Sequence, residues 1–486
     1  MSILVELIKR KLDGDWAAFA LQSLEGFARE RYGARWDKKI QIRINGEVSD
    51  DAAPFAAFIP AGQPKNGPYG GMSFVIFPSA DSCAFISLGI GTNGLSPDEQ
   101  ALGRPGHARK SAAVCGWLSS LAGKNIAWAK PDPVRIDLGM PKQIKERLGA
   151  YHSAVEKYEK VLYAAFFAAE ASGDAIITKA AHTLCDIFAE ERGLEVLVAF
   201  KAEKQEAREG WLAKALPSVS EKYVCDLLRE RRFVVLEGPP GTGKTRLAVN
   251  IIKDVYKGNG RTIQFHPGTT YETFVGGLAP VQEDGPGGLK FSPRRGHLME
   301  AAAEALKNPA QPYLLHIDEI NRADLSKILG EAIFLFEPSE PDREVSLFYD
   351  FGEPFNRKLR LPANLHVLGT MNSADRSIAI LDIAVRRRFA FVPLWPDYSV
   401  LEQQQSTEYM KEAFQRLFTL FLEEATNDAF GLMPGHAYFL DKGKTTDALL
   451  RTGLKPLLNE YLQQGYVSGF SDEVKAFIDW LDTTGK

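Results

Sequence analysis

The chain has 486 residues, and at roughly 150 residues per domain this length predicts about three domains. Hydrophobic residues make up 45% and charged residues 25% of it, values that exclude a wholly disordered or collagen-like chain. The formal net charge is −4, so the charge of the whole chain gives no reason to expect nucleic-acid binding, and any basic surface must be local.

The cysteines and the apolar stretches favour a soluble, cytoplasmic protein. The four cysteines are Cys83, Cys115, Cys185 and Cys225. They are far apart and lack metal-ligand spacing, so we expect reduced thiols rather than a disulfide framework or a zinc site. Charges interrupt the first apolar stretch, which argues against a signal peptide, and no apolar run approaches the roughly 18 residues of a membrane span.

Residues 1–145 predict an α+β domain with long loops. After two short helical patterns, apolar runs at 73–77 and 83–88 flank a short polar segment and predict a β-hairpin. The stretches 61–71 and 91–106 are rich in Gly, Pro, Asn and Ser and predict loops. Long loops are often where binding sites lie.

Residues 146–224 predict a helical connector. Ala, Glu, Lys and Leu dominate there, and apolar residues between 158 and 166 recur at helical spacing. Residues 201–209 mix both charge signs, as is typical of an exposed helix face. A solvated helical spacer with no other role is the explanation that this composition favours.

From about residue 225 the pattern changes to that of an α/β domain. Apolar strand-like runs alternate with helical patterns, which predicts a parallel sheet over 225–395. Leucines at near-helical spacing after residue 449 then predict a helical lid over 396–486.

A phosphate-binding loop follows the first strand of this domain. The strand-like run 233–237 leads into the pattern G-x-x-x-x-G-K-[ST], and a helical pattern continues after it. The pattern consists of Gly238, Pro239, Pro240, Gly241, Thr242, Gly243, Lys244 and Thr245. Its glycines let backbone N–H groups surround phosphates, with Lys244 on the β- and γ-phosphates and the Thr245 hydroxyl on Mg²⁺.

A second strand-like run, 313–317, ends in two acids. Asp318 is placed to hold Mg²⁺, and Glu319 to act as the general base on the attacking water. His316 lies inside the run, and we interpret it as a buried structural histidine.

A third run, 365–370, is followed by Asn372. Ligands bind where the carboxyl ends of parallel strands meet, so Asn372 is predicted to contact the γ-phosphate or the attacking water there. An arginine cluster follows at 386–388. At least one of these arginines could project across a subunit boundary towards a neighbour's γ-phosphate, while a surface cluster paired with acids or nucleic acid is the alternative.

These motifs together resemble the McrB-like branch of the AAA+ ring motors, the GTPase motors of modified-cytosine-specific restriction systems. The resemblance covers the C-terminal half and rests on the stretches 265–277, 318–322, 369–377, 386–389 and 435–439. It implies an αβα P-loop NTPase fold with a helical lid, and a hexameric ring with the nucleotide between subunits. It also implies a separate McrC-like nuclease subunit that stimulates hydrolysis.

The resemblance also implies roles for single residues. Asn372 would be the sensor needed for hydrolysis, and Asn321 with Arg322 would receive the partner's contact. Arg387 and Arg388 are the candidates for the finger. Two positions depart from the family pattern: His316, where an aliphatic residue is usual, and Ser373, where Thr is more frequent.

The expected cofactors are Mg²⁺ with GTP or ATP. The McrB-like branch resembles GTP users, whereas most AAA+ motors use ATP, and nothing in the phosphate loop contacts the base. We favour GTP.

The resemblance also implies that residues 1–145 form a target-recognition domain, and two basic clusters there are candidate DNA contacts. The first, with interleaved aromatics, comprises Arg29, Arg31, Tyr32, Arg35, Trp36, Lys38, Lys39 and Arg43. Such a set could contact phosphates and stack on bases, although the polar face of a helix explains it too. The second comprises Arg104, His107, Arg109 and Lys110.

Three hypotheses remain open from the sequence. The favoured one is a motor that recruits a nuclease in trans, because the chain carries no nuclease motif. A MoxR-like protein-remodelling chaperone is the main alternative, and a nucleotide-gated scaffold without turnover is the third.

Overall fold

The computed structural model divides the chain into two compact units. One contains Met1–Pro217 with Leu422–Thr426, and the other contains Ser218–Phe421 with Asn427–Lys486. The described residues are 3–48, 53–64, 67–80, 83–91, 104–122, 125–135, 137–168, 173–282, 289–373, 383–441 and 447–484. Within these ranges, no helix combines the length and apolar character needed to cross a membrane.

The N-terminal unit is built on an antiparallel sheet. Its strands are β1 (Ile40–Asn45), β2 (Phe55–Pro60), β3 (Met72–Ala80), β4 (Cys83–Ile90), β5 (Asn125–Ala129) and β6 (Leu162–Ala168). In the described residues they are ordered β1-β2-β3-β4-β6-β5. The predicted hairpin is confirmed as β3–β4, with Phe77 opposite Phe85. Residues 81–82 of its turn and 92–103 of the predicted second loop lie outside the described residues.

Helices cover this sheet. They are α1 (Ile3–Lys9), α2 (Trp16–Tyr32), α3 (Pro105–Ser120), α4 (Lys142–Lys145), α5 (His152–Tyr158), α6 (Asp174–Glu190) and α7 (Lys201–Ala215), with 3₁₀ turns at Trp36–Lys38, Gly149–Tyr151 and Val198–Phe200. On one face, Val75, Phe77 and Phe85 share a buried cluster with Tyr151 and Val155. That cluster explains why the segment after residue 140 folds back on the sheet.

The structure corrects the prediction that residues 158–166 are helical. Leu162–Ala168 forms β6, every residue of which is buried, and it pairs with β4 and β5 inside the N-terminal sheet. A short continuous apolar run has no strand-like alternation, so its periodicity does not separate a buried strand from a buried helix. The later part of the predicted connector is helical, as α6 and α7.

The second unit contains a parallel sheet that is buried on both faces. The strands of this unit are β7 (Phe233–Gly238), β8 (Gly260–Gln264), β9 (Gly276–Gln282), β10 (Leu289–Arg295), β11 (Tyr313–Asp318), β12 (Glu344–Ser346), β13 (Lys358–Arg360), β14 (Leu365–Asn372) and β15 (Ala390–Pro393). Five of those described form the sheet in the order β15-β7-β14-β11-β8, and two antiparallel hairpins, β9–β10 and β12–β13, stand outside it.

Side chains of β7 alternate between the two faces of the parallel sheet. Phe233 and Val235 belong to one buried cluster, and Val234 and Leu236 belong to another. Successive side chains of a strand point to opposite faces, so helices must cover both sides. This is the predicted αβα arrangement.

The helices of the second unit lie around the sheet and after its last strand. They are α8 (Glu221–Arg231), α9 (Lys244–Asn250), α10 (Tyr271–Phe274), α11 (His297–Lys307), α12 (Leu325–Leu329), α13 (Ile383–Arg386), α14 (Tyr398–Gln403), α15 (Glu408–Glu424), α16 (Asn427–Phe430), α17 (Asp447–Leu449), α18 (Lys455–Gln463) and α19 (Ser471–Thr484). In the described residues after Pro393 the regular elements are helical, as the sequence predicts for this region.

Candidate functional site

The polar ends of three adjacent strands meet at one edge of the parallel sheet. β7 leads into the phosphate loop, β11 ends at Asp318, and β14 ends at Asn372. Asn372 is the register partner of Gly238, the first residue of that loop. The structure therefore brings together the three motifs that the sequence placed at this edge.

The phosphate loop, residues 238–245, curls around the ammonium group of its own lysine. Gly241 and Gly243 have φ angles of 82° and 83°, which only glycine adopts without strain. Lys244 Nζ donates to the carbonyl oxygens of Pro239 at 2.7 Å and Gly238 at 3.0 Å. Burial lowers the pKa of Lys244 to about 8. A bound phosphate would give this buried cation the anionic partner that it lacks.

Two hydroxyl groups meet one carboxylate beside the loop. Thr245 Oγ1 donates to Asp318 Oδ1 at 2.9 Å, and the buried Thr370 hydroxyl donates to the same oxygen. Such oxygen ligands suit Mg²⁺, which takes one or two carboxylates and completes its shell with water and substrate phosphates. No cluster of three or more His, Cys, Asp or Glu side chains that could hold a metal occurs among the described residues. The residues present fit Mg²⁺.

The second acid is held by the sensor candidate. Asn372 Nδ2 donates to Glu319 Oε1 at 2.7 Å, and Arg322 Nε lies 3.3 Å from Glu319 Oε2. Glu319 itself has a φ of 53°, a left-handed backbone uncommon for residues other than glycine. Asn372 thus holds one carboxylate oxygen, while Oε2 is buried and makes no hydrogen bond among the described residues, which leaves it available to a water molecule.

Thr370 is a site residue that the sequence analysis missed. It precedes Asn372 by two positions on β14, and side chains two apart on a strand share a face. The alternating polar residues at the end of β14, Thr370 and Asn372, are the sequence feature from which Thr370 could have been predicted.

His316 is structural, as predicted. It is fully buried in β11, and its Nδ1 lies 3.1 Å from the hydroxyl oxygen of Thr262 on β8. Burial lowers the pKa of His316 to about 4, so the ring is neutral near pH 7. The hydrogen bond to Thr262 satisfies one ring nitrogen where an aliphatic residue is usual, whereas Nε2 is buried without a hydrogen bond among the described residues.

The three clustered arginines have different environments. The guanidinium of Arg386 lies 5.1 Å from the ring centroid of Phe391, and Arg387 is exposed. Arg388 is 7% exposed and donates to the carbonyl oxygen of Ala384 at 2.7 Å. Of the two predicted finger residues, Arg387 is the one with an exposed side chain. Arg376 lies outside the described residues, as do residues 374–377 of the predicted motif.

The first basic cluster of the N-terminal unit is only partly exposed. Arg31 is buried and makes two hydrogen bonds to Asp186, at 2.8 and 2.7 Å, while Tyr32 donates to the same carboxylate at 2.8 Å. Trp36 is buried as well. The prediction that these three contact nucleic acid is therefore wrong in this conformation, because they stabilise the unit from inside. The exposed members of the cluster are Arg29, Arg35, Lys38 and Lys39.

The second basic cluster is neutralised by acids of the same unit. Arg104 pairs with Glu191 at 2.5 Å, and Lys110 pairs with Glu190 at 2.5 Å. Paired cations with little exposure offer less charge to a phosphate backbone. This cluster is a weaker DNA-contact candidate than the first.

Comparison with known proteins assigns the site to a family. The AAA domain (dynein-related subfamily) matches residues 233–389, which contain the whole cluster of the phosphate loop, Asp318, Glu319 and Asn372. The type IV methyl-directed restriction enzyme EcoKMcrB subunit of Escherichia coli K12 is 31% identical over 268 residues, covering 51% of this chain and 57% of that protein. Residues 233–389 therefore form an AAA domain, and about half of the chain is similar to the McrB subunit.

A second relative is also described as a component of a restriction enzyme. The type II restriction enzyme BsuMI component YdiS of Bacillus subtilis 168 is 26% identical over 189 residues, covering 32% of this chain and 55% of that protein. The chain thus spans somewhat more than half the length of the curated relatives it matches. A solved structure of a presumed ATPase from Cytophaga hutchinsonii covers 42% of this chain and 63% of its own at 17% identity, with a TM-score of 0.26, too low to support an argument.

Proposed function

We propose that this protein is the nucleotide-hydrolysing motor of an McrBC-like DNA restriction and defence system. It would work as a hexameric ring that couples target recognition by the N-terminal unit to a nuclease subunit acting in trans. One observation carries the proposal: the pairs Thr245–Asp318 and Asn372–Glu319 form a metal-holding group and a base-holding group side by side at one sheet edge. The descriptions of both relatives as restriction-enzyme components support it.

Each residue has a separate task in this mechanism. Lys244 would neutralise phosphate charge, and Thr245 with Asp318 would hold Mg²⁺, which would supply positive charge to offset that of the phosphate oxygens. Glu319 accepts the proton of the attacking water, and Asn372 keeps the Glu319 carboxylate in place.

A neighbouring subunit would complete the site. The exposed Arg387 would reach the γ-phosphate bound by the adjacent chain and stabilise the charge that develops in the transition state. Asn321 and Arg322 lie beside the acids, but Asn321 is buried, so Arg322 with its 45% exposed side chain would receive the stimulating contact of the nuclease subunit. Arg322 is placed for this because it also lies 3.3 Å from Glu319 Oε2.

The N-terminal unit would supply target recognition. Its exposed basic residues Arg29, Arg35, Lys38 and Lys39 lie within a short stretch at and after the end of α2, where they could contact a DNA backbone. This part of the proposal is tested by DNA binding of the full chain with these four positions changed to Ala.

The decisive experiment measures hydrolysis of GTP and of ATP by the purified chain, together with size-exclusion chromatography in each nucleotide. Turnover of GTP with a shift to a ring would support the restriction motor, and Glu319→Gln should abolish turnover while retaining the ring. Equal rates in the wild type and Glu319→Gln would reject the catalytic assignment and favour a nucleotide-gated scaffold. Turnover of ATP alone, without DNA binding, would favour the MoxR-like remodelling alternative.

A further inference from the structure

A short segment of the C-terminal region lies directly against the phosphate loop. This segment, residues 435–439, donates two backbone hydrogen bonds to the loop: Gly435 N to Pro240 O at 2.8 Å, and Ala437 N to Gly241 O at 3.0 Å. A Cβ on Gly435 would lie 2.1 Å from the Gly241 carbonyl carbon, so the approach requires glycine. Residues 435–439 are therefore part of the wall of the phosphate site.

The hydrogen bond made by His436 fixes which ring nitrogen carries the proton. The backbone N–H of Asp397 donates to His436 Nδ1 at 3.3 Å. A backbone N–H can only donate, so Nδ1 must be the unprotonated nitrogen, and a neutral imidazole then carries its proton on Nε2. Burial and the nearby Arg246 lower the pKa of His436, whereas Asp397 raises it, and the net shift is downwards. The neutral tautomer is thus consistent with both the geometry and the electrostatics.

The protonated nitrogen faces the phosphate loop without a partner. His436 is 9% exposed, and Nε2 lies 3.8 Å from the point that a Cβ on Gly243 would occupy. Among the described residues, Nε2 makes no hydrogen bond. The nitrogen is thus open to a ligand on the side of Gly243, and the space in front of it is the hollow where phosphates bind in this motif.

We propose that His436 donates a hydrogen bond from Nε2 to a phosphate oxygen of the bound nucleoside triphosphate, and that Asp397 sets the tautomer required for this. The proposal rests on the proposed nucleotide-binding function and adds a phosphate contact from outside the phosphate loop. Since Gly435 and Ala437 fix the same segment to the loop, His436 would also make the position of this segment depend on whether a phosphate is bound.

The test uses two substitutions that separate the two ring nitrogens. His436→Asn keeps an oxygen that can accept from Asp397 but has no donor at the position of Nε2. His436→Gln places an amide nitrogen near the position of Nε2 and restores the donor. His152→Asn, at an exposed histidine of the N-terminal unit, is the matched control. Binding of mant-GTP and mant-ATP with Mg²⁺ is measured on the full chain, with thermal melting of every variant.

We expect His436→Asn to weaken binding of the better nucleotide about 10-fold, as loss of one charge-assisted hydrogen bond predicts, and His436→Gln to stay within about 3-fold of the wild type. Wild-type affinity in His436→Asn, or equal weakening in both variants, would overturn the proposal. If His436→Asn does not fold, a 10-fold loss in His436→Gln overturns it and retained affinity supports it.

Failure of the proposed nucleotide-binding function would give a different set of binding results. If the wild type binds neither nucleotide, and Lys244→Ala is indistinguishable from it, the nucleotide-binding function fails together with this inference. If Lys244→Ala abolishes binding while His436→Asn does not weaken it, only the inference about His436 fails.

Discussion

Asn372 donates a hydrogen bond to Glu319 at 2.7 Å, across 53 positions of sequence, because β14 and β11 are neighbours in the parallel sheet. The bond leaves the other carboxylate oxygen, Oε2, beside Arg322. The side-chain amide of Asn372 holds Glu319 but does not itself accept a proton. Glu319 therefore remains the group that can take a proton from the attacking water.

Asn372→Ala should lower kcat for nucleotide hydrolysis by about 10- to 100-fold, with nucleotide affinity unchanged, because Glu319 loses its orienting donor. Asn372→Asp should lower kcat further, since an aspartate cannot donate and repels the Glu319 carboxylate. Steady-state kinetics and equilibrium nucleotide binding measure both quantities. Wild-type turnover in Asn372→Ala would show that Glu319 does not depend on this contact.

Thr370→Val should weaken the Mg²⁺ dependence of the reaction. The substitution keeps the shape of the buried side chain and removes the hydroxyl that donates to Asp318 Oδ1. Groups that orient a metal ligand typically contribute about 10- to 100-fold in metal affinity, so half-maximal activity should need about 10-fold more Mg²⁺. Thr178→Val, whose hydroxyl only bonds the carbonyl of Asp174 within α6, is the control. An unchanged Mg²⁺ titration would remove Thr370 from the site.

Lys244 should make the nucleotide-free protein more stable as pH rises. Burial lowers its pKa to about 8 from the ordinary 10.5, so between these values the unfolded chain binds more protons than the folded one. The free energy of unfolding therefore increases with pH in this window, by up to roughly 3 kcal/mol, and below it the cost of the buried charge is fully present. Lys244→Met should lack this increase.

Urea unfolding at pH 8, 9 and 10 measures the Lys244 effect as a difference between variants, which cancels the titration of other groups. Lys222→Met is the control, because the Lys222 side chain is 87% exposed. Parallel pH profiles for the wild type and Lys244→Met would contradict the prediction.

Arg387 and Arg388 should behave differently when each is changed to Ala. Arg387→Ala should keep the melting temperature and lose about 100-fold or more of the hydrolysis rate of the ring, as expected for an exposed finger. Arg388→Ala should lower the melting temperature, because the buried side chain and its bond to Ala384 are lost.

Mixing two inactive variants tests whether Arg387 acts between subunits. In a mixture of Arg387→Ala and Glu319→Gln chains, roughly a quarter of the sites would combine an intact Glu319 with a neighbour's intact Arg387. We expect partial recovery of hydrolysis on mixing. No recovery, in rings shown by chromatography to be mixed, would place the arginine within its own subunit.

The sequence predictions that the structure matches are those that depend on residues close together in the chain. The phosphate loop lies between one strand and one helix, so Gly241, Gly243 and Lys244 are recognisable without knowing the rest of the fold. Asp318 and Asn372 could also be placed, because parallel strands end at a common edge.

The predictions that failed depended on distant partners. Leu162–Ala168 is a strand because β4 and β5 flank it, and nothing in its own apolar run distinguishes that from a helix. Arg31 is buried because Asp186, 155 positions away, pairs with it. The sequence shows a basic residue beside aromatics in either case, so exposure could not be deduced.

Gly435→Ala tests whether close approach of residues 435–439 to the phosphate loop is needed. Gly435 has a φ of −71°, which alanine adopts freely, so the only obstacle is the added Cβ at 2.1 Å from the Gly241 carbonyl carbon. Relieving that overlap must move one backbone away from the other and break the Gly435–Pro240 hydrogen bond. We expect a loss of about 1 to 3 kcal/mol in unfolding free energy and weaker nucleotide binding.

Gly469→Ala is the matched control, since nothing lies within 4 Å of its Cβ position. If both variants melt and bind nucleotide as the wild type does, residues 435–439 are not a fixed part of the site, and the role assigned to His436 would lose its structural basis.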